Sequence, residues 1–93
     1  MRPDFEWNPK KAERDFRKHE IGFEETCSIF DDLLFITVLD EEHTKDEERY
    51  ITIGLSNKHR LFLVAHTDRN NCIRIISARK ATKNEEKFYQ DAG

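Results

Sequence analysis

Residues 48–78 read ERYITIGL-SNKH-RLFLVAHT-DRNN-CIRIISA, three apolar runs joined by two short polar connections. Runs rich in Ile, Val, Phe, Tyr and Thr favour β-strands. The two connections carry Ser, Asn and Asp and have hairpin length. This stretch therefore predicts an antiparallel meander with strands at 48–55, 60–67 and 72–78. A further run of the same kind at 33–39 predicts a fourth strand in the same sheet.

Helices are predicted before and after these strands in the sequence. Asn8 followed by Pro9 is typical of a helix start, and this helix is expected to run to about His19. Apolar residues at i, i+3, i+4 and i+7 predict a second helix over 23–30. The capping box at 82–85 predicts a short last helix. The predicted class is α+β, in the order ααββββα with a four-stranded antiparallel sheet.

The chain has 93 residues, a length that suits a single domain over 1–93. No apolar stretch approaches the roughly 20 residues that span a bilayer, and the N-terminus lacks the apolar core of a signal peptide. We therefore expect a cytoplasmic protein without membrane contact. The two cysteines, Cys27 and Cys72, lack metal-ligand spacing and lie in apolar segments. They are predicted to be buried, reduced thiols.

The charge distribution is uneven along the chain. The net charge is −3, which by itself argues against nucleic-acid binding, because such proteins are usually basic. Residues 58–83, however, contain seven Lys and Arg against one acid, whereas acids dominate at 24–32 and 40–48. The sequence therefore predicts a basic face on an acidic body.

Several sequence signatures of enzymes are absent. The sequence has no glycine-rich phosphate loop, CxxC, HExxH or Gly-x-Ser-x-Gly, and its four histidines are scattered. We therefore predict no cofactor and no metal site. What stands out is a pair of strand arginines, Arg74 and Arg79. Because side chains alternate along a strand, the two face opposite sides unless a bulge or a strand end lies between them.

An arginine pattern of this kind has two interpretations. The structural one is that the arginines are solvated or paired with acids. The functional one is metal-free cleavage of RNA through its own 2′-hydroxyl, which needs a base, an acid and a cation beside the phosphate. Arginine suits the last task, since its planar fork binds phosphate and keeps its charge. Glu48 or His66 is a candidate base, and a Lys, His or Tyr a candidate acid.

A set of motifs over residues 4–90 resembles one known family, the BrnT toxins. The matching segments in the N-terminal half are Trp7-Asn-Pro-Lys-Lys11, Arg17-Lys-His19, Phe23-Glu-Glu25 and Phe30-Asp31. Those in the C-terminal half are Glu48-Arg-Tyr50, Ile53-Gly-Leu-Ser56, Leu61 to Thr67, Arg74-Ile-Ile-Ser-Ala-Arg79 and Ala81 to Tyr89.

This resemblance implies a type II toxin with a RelE-like ribonuclease fold, which cuts RNA, free or on the ribosome, and so stops translation. It implies a BrnA-type antitoxin that binds DNA through a ribbon-helix-helix domain, so that the toxin meets DNA only in that complex. The implied catalytic residues are Arg74, Arg79, Glu48 and Arg49. The implied RNA-binding residues are Lys18, His19, His66, Lys80 and Tyr89.

Two positions depart from the pattern of the family, and they leave a second function open. The family commonly has Asn where Asp15 stands and Gly where Glu20 stands, so the first helix is expected to end differently here. The acidic total also suits a weakened toxin homologue that acts as a binding module or co-repressor with its antitoxin. Lys18 and His19 have a structural alternative too, since cations stabilise the C-terminal end of a helix.

Overall fold

The computed structural model describes residues 3–43 and 47–92. In chain order its elements are β1 Asp4–Trp7, α1 Pro9–His19, α2 Phe23–Ser28, β2 Ile36–Leu39, β3 Arg49–Leu55, β4 Leu61–Arg69, β5 Cys72–Lys80 and α3 Lys83–Ala92. Short 3₁₀ turns at Ile29–Asp31 and Glu41–His43 precede and follow β2.

The strands form one five-stranded mixed sheet in the order β1-β5-β4-β3-β2. Strands β2 to β5 pair antiparallel, whereas β1 lies parallel to β5, with Phe5 opposite Ile73 and Trp7 opposite Ile75. The predicted order ααββββα with a four-stranded antiparallel sheet is therefore wrong. Four alternating residues are too few to predict a strand from sequence. β1 forms because its backbone pairs with the edge of β5, almost 70 residues away in sequence.

Local sequence explains where the hairpins and α1 end. Asn70 and Asn71 both have positive φ, 51° and 62°, as the two-residue turn between β4 and β5 requires. Asn8 caps α1 by accepting a hydrogen bond from Lys10 N at 2.9 Å. At the other end Glu20 adopts the left-handed conformation, with φ 56° and ψ 37°, a geometry that glycine adopts without strain.

The core lies between one face of the sheet and the helices. Phe62, Val64 and Ile75 from the sheet pack with Ile21 and Ile29 from the helical segments, and all five are buried. We call the opposite side of the sheet, which faces away from α1 and α2, the open face. No helix in the described part of the chain is long and apolar enough to span a membrane.

Candidate functional site

A β-bulge in β5 decides where the two strand arginines point. Ala65 pairs with Ser77, but His66 pairs with Ile75, so Ile76 is an extra residue on β5. The extra residue resets the alternation, and Arg74 and Arg79 therefore both lie on the open face. Of the two possibilities left open by the sequence, a bulge and a strand end, the bulge is the one present, since β5 continues to Lys80.

Arginines from three adjacent strands lie together at one end of the open face. Arg49 on β3 pairs with Thr67 on β4, which pairs in turn with Arg74 on β5. The Cα atoms of Arg49 and Arg74 are therefore about 10 Å apart, two inter-strand spacings. Arg69 lies two residues beyond Thr67 and shares its face, and it lines a small cleft with Arg74. We call Arg49, Arg69 and Arg74 the arginine row.

Carboxylates accompany this row. Arg74 Nε lies 3.0 Å from Glu6 Oε2 on the neighbouring β1, and Arg69 donates to Glu47 Oε2 at 2.6 Å. The second carboxylate oxygen of Glu47 is buried, and no described residue donates a hydrogen bond to it. The row thus combines phosphate-binding cations with carboxylates able to accept a proton.

Arg79 lies at the other end of the open face, under the start of α3. Its guanidinium makes a bidentate contact with Glu85, with both N···O distances 2.8 Å. The hydrogen bonds from Arg79 hold the pKa of Glu85 at about 2, and the same contact raises the pKa of Arg79. Along β5, Arg74 and Arg79 are roughly 15 Å apart at Cα, so they suit different phosphates of one extended strand.

The two candidate bases from the sequence lie outside the arginine row. Glu48 is exposed and immediately precedes β3, and alternation directs it away from the face of Arg49. His66 is 1% exposed, on the helix-covered face of β4. Its Nε2 and Nδ1 lie 2.7 Å from Thr52 Oγ1 and Asp68 Oδ1 respectively. Burial lowers the pKa of His66, although the Asp68 carboxylate opposes this. The buried imidazole thus bridges Thr52 and Asp68.

The remaining candidate RNA-binding residues lie outside the arginine row, on different elements of the fold. Lys18 and His19 lie in the last turn of α1, and Lys80 pairs with Phe62, which faces the core rather than the open face. Tyr89 on α3 donates a hydrogen bond from its hydroxyl to Asp32 Oδ2. Burial and the Asp32 carboxylate raise the pKa of Tyr89 to about 12.

Comparison with known proteins identifies the family. The model of a family described as the ribonuclease toxin BrnT of type II toxin-antitoxin systems matches residues 7–85. The chain belongs to the BrnT family. The fold is similar to that of the Brucella abortus ribonuclease toxin BrnT, known from a crystal structure, with a TM-score of 0.66 and 22% sequence identity over 87% of this chain and 99% of that one. No curated protein matches the chain significantly.

BrnT-family membership confirms the resemblance drawn from the motifs and makes the chain a ribonuclease toxin of a type II system. An antitoxin partner and an RNA substrate follow at that level. Within residues 3–43 and 47–92, no three His, Cys, Asp or Glu side chains are grouped so as to hold a metal ion. Cys27 and Cys72 are free thiols, the first buried and the second partly buried.

Three side chains in or beside the arginine row were not predicted from the sequence. They are Arg69, Glu47 and Glu6. The pair Asn70-Asn71 was a usable signal for Arg69, because a two-residue turn extends β4 to Arg69 and fixes its facing. Glu6 and Glu47 carried no such signal, since one depends on the parallel pairing of β1 and the other on a loop.

Proposed function

We propose that this BrnT-family chain is a metal-independent endoribonuclease that cuts RNA on the open face and thereby inhibits translation. The observation that carries the proposal is the arginine row, three cations from adjacent strands on one face. That end of the face lies away from α1 and α2, and Arg74 and Arg69 are half exposed there. A cut through the 2′-hydroxyl needs positive charge at the phosphate, and arginine supplies it without a metal.

The spacing of the arginines favours a division of roles. Arg49 on β3 and Arg74 on β5 bracket the scissile phosphate from either side of β4 and stabilise the charge that develops there. Arg79 holds a phosphate farther along the RNA, since roughly 15 Å separates it from Arg74. In the free protein Glu6 contacts Nε of Arg74, and Glu85 occupies the fork of Arg79. RNA therefore competes with a carboxylate at both arginines.

The general base is proposed to be a carboxylate at the start of β3. The family resemblance favours Glu48, whereas the contact of Glu47 with Arg69 and its unpartnered oxygen favour Glu47. The two are adjacent in sequence, and Gln substitutions separate them, since Gln keeps the shape of Glu but accepts no proton. Loss of cleavage with retained RNA binding identifies the base.

Other residues implied by the family enter the proposal as contacts outside the row. Lys18, His19 and Lys80 would meet RNA that continues around the edge of the sheet. His66 acts through its neighbours, because its buried imidazole fixes β3 against β4 through Thr52. Tyr89 fixes α3 to the body through Asp32, and α3 carries the Glu85 that covers Arg79.

The partner is proposed to be a BrnA-type antitoxin with a ribbon-helix-helix domain. On this proposal the toxin is a single-domain cytoplasmic protein that reaches DNA only through the antitoxin. A reading frame for such a protein beside the toxin gene would support the assignment. A neighbour of another class would contradict it.

The test of the proposed activity uses Arg74→Ala and Arg79→Ala, with Arg17→Ala as a matched control. Arg17 also makes one exposed ion pair, with Glu13, but lies on α1 away from the open face. Arg74→Ala removes a cation at the scissile phosphate and is expected to slow RNA cleavage at least a hundredfold with EDTA present throughout. Arg79→Ala removes a more distant phosphate contact and is expected to weaken RNA binding, and both variants should relieve growth arrest. Wild-type cleavage rates for both open-face variants would refute the site, and loss of activity in EDTA would refute metal independence.

A second function is supported by the ion pairs that Arg74 and Arg79 already make. Because Glu6 and Glu85 already neutralise Arg74 and Arg79, the chain is also a candidate for a weak toxin retained as a co-repressor with its antitoxin. Expression of the chain alone separates the two. Growth arrest with RNA decay favours the enzyme, whereas normal growth with folded, soluble protein favours the binding module.

A further inference from the structure

Large apolar side chains are exposed together at one edge of the molecule. Leu33 is 98% exposed and Val38 46%, and three more apolar residues between 34 and 39 are also exposed. We call this group the apolar edge, and its members are Leu33, Leu34, Phe35, Val38 and Leu39. Concentration of this kind, in seven consecutive residues, marks a surface that a partner covers.

The apolar edge coincides with an unprotected strand. β2, with the sequence Ile-Thr-Val-Leu, is the last strand in the sheet order and pairs with β3 on one side only. Along its outer side no strand is present among the described residues. An edge strand presents backbone N–H and C=O groups to solvent, and natural proteins usually protect such edges with Lys, Pro or a bulge. None of these is found in β2.

The negative charges around β2 favour a basic partner segment over a second copy of the chain. Residues 20–43 contain eight Asp and Glu and no Lys or Arg, and exposed acids stand at both ends of the edge, Asp31 before it and Glu41 and Glu42 after it. A second copy of the chain, added antiparallel at this edge, would bring acids against acids. A segment that alternates apolar and basic residues would instead satisfy the backbone, the apolar side chains and the charge at once.

A separate acidic cleft lies beside the 3₁₀ turn before β2, and no residue of the apolar edge lines it. It has a volume of about 840 Å³, and its walls combine Glu24, Asp31 and Asp32 with Phe23 and Leu55. No Lys or Arg lines it. Such a cleft suits a Lys or Arg whose aliphatic stem packs on apolar walls while its charged end meets the carboxylates.

We propose that the antitoxin docks by adding a strand to the apolar edge, using a segment of alternating apolar and basic residues. Affinity comes from main-chain pairing with β2, and specificity from the basic side chains beside Asp31 and Glu41. The proposal rests on the antitoxin partner that the family implies and not on the arginine row. It therefore places inhibitor binding along the outer edge of β2, one strand away from Arg49.

The test uses Val38→Lys with Phe16→Lys as the matched control. Phe16 is equally apolar and 58% exposed, but it lies on α1. The probe is the full-length protein encoded by the reading frame next to the gene for this chain. A lysine at 38 repels a cationic segment and removes an apolar contact, so binding is expected to weaken at least tenfold, whereas Phe16→Lys binds as wild type does. Equal affinities of Val38→Lys and wild type would overturn the proposal, as would a wild type that fails to bind the probe.

Four further measurements distinguish this proposal from misfolding of the variant and from a different occupant. The double variant Glu41→Lys/Glu42→Lys should bind more weakly at low salt and approach wild type at high salt. Hydrogen exchange should slow in β2 on binding, and protection confined to β1 or the open face would contradict strand addition. Dimerisation of the wild type through β2 would show that a second copy of the chain, and not the antitoxin, occupies this edge. Val38 pairs with Ile51 on the open face, so a lysine there adds positive charge to the proposed cleavage face. Free Val38→Lys should therefore still cleave RNA, so that failure of the proposed enzyme and failure of this interface give different results.

Discussion

The contact between Arg79 and Glu85 gives the sharpest prediction, because one substitution changes both stability and RNA binding. Glu85→Gln keeps the side-chain shape and can still accept the hydrogen bond that Thr82 N donates at 2.8 Å. It removes the negative charge, and it replaces one of the two acceptors of the Arg79 fork by an NH2 donor. In the wild type this fork makes two hydrogen bonds to the carboxylate, both at 2.8 Å.

The stability change follows from the pKa of Glu85. A carboxyl pKa that falls from 4.5 to about 2 on folding corresponds to about 3 kcal/mol at neutral pH. The Arg79 side chain is 44% exposed, so solvent screening reduces this to about 1 kcal/mol. Because the folded pKa is lowered, this stability is complete above pH 4.5 and is lost as the pH falls toward 2. Glu85→Gln should therefore melt about 4–8 °C lower at pH 7 and lose less stability on acidification than wild type.

RNA binding should change in the opposite direction. A neutral amide competes less well than a carboxylate with phosphate for the guanidinium of Arg79. One more phosphate contact makes the slope of log K against log salt steeper by about 0.7 for a single strand. Fluorescence anisotropy with a 2′-O-methyl RNA, which cannot be cut, measures this slope between about 50 and 200 mM salt.

The matched control is Glu86→Gln, which changes the net charge equally on the same helix but does not touch Arg79. Its melting temperature and salt slope should stay near those of the wild type. Equal salt slopes for Glu85→Gln and Glu86→Gln would refute the reasoning that Glu85 competes with phosphate. A melting temperature for Glu85→Gln equal to that of wild type would refute the contribution assigned to the ion pair.

Three further changes test the fold around the site. Glu20→Gly should stabilise the protein by about 1 kcal/mol, because glycine adopts the left-handed φ of 56° without strain. Chemical denaturation should show no such increase in the free energy of unfolding for Glu20→Ala, since alanine keeps the strain. Asp15→Ala should cost about 1–3 kcal/mol since it leaves Ala78 N buried without its acceptor at 3.2 Å, whereas Asp15→Asn keeps that acceptor and should unfold at nearly the wild-type urea concentration. Burial lowers the pKa of His66, so as the pH falls the unfolded chain binds a proton at this residue before the folded chain does. The free energy of unfolding of the wild type should therefore decrease as the pH drops below about 6.5. Urea titrations at two pH values should show a smaller decrease for His66→Gln.

The two departures from the family pattern acquire physical explanations from the structure. Glu20 stands where the left-handed end of α1 is made, a position that favours glycine. Asp15 is 4% exposed and accepts the hydrogen bond from Ala78 N, a bond that the amide of an asparagine can accept equally well. Glu20 therefore replaces a residue that suits this conformation better, whereas Asp15 keeps the acceptor that the position needs, and neither residue lies on the open face.

Local sequence determined much of this protein by itself. Asn8-Pro9 marked the start of α1, and the β-branched runs marked the strands of the meander. The motifs spread along the chain identified the family, which the comparison confirmed. These features are short-range, because caps, turns and alternation depend on residues only a few positions apart.

Tertiary structure alone decided the sheet and the facing of the site. The parallel pairing of β1 with β5 made a fifth strand from four residues that carry little strand signal of their own. The extra residue Ile76 turned Arg74 and Arg79 to one face, although the sequence permitted either facing. Three strands then brought Arg49, Thr67 and Arg74 side by side. Such contacts join residues distant in sequence, so their free energy depends on the assembled sheet and cannot be found in any local pattern.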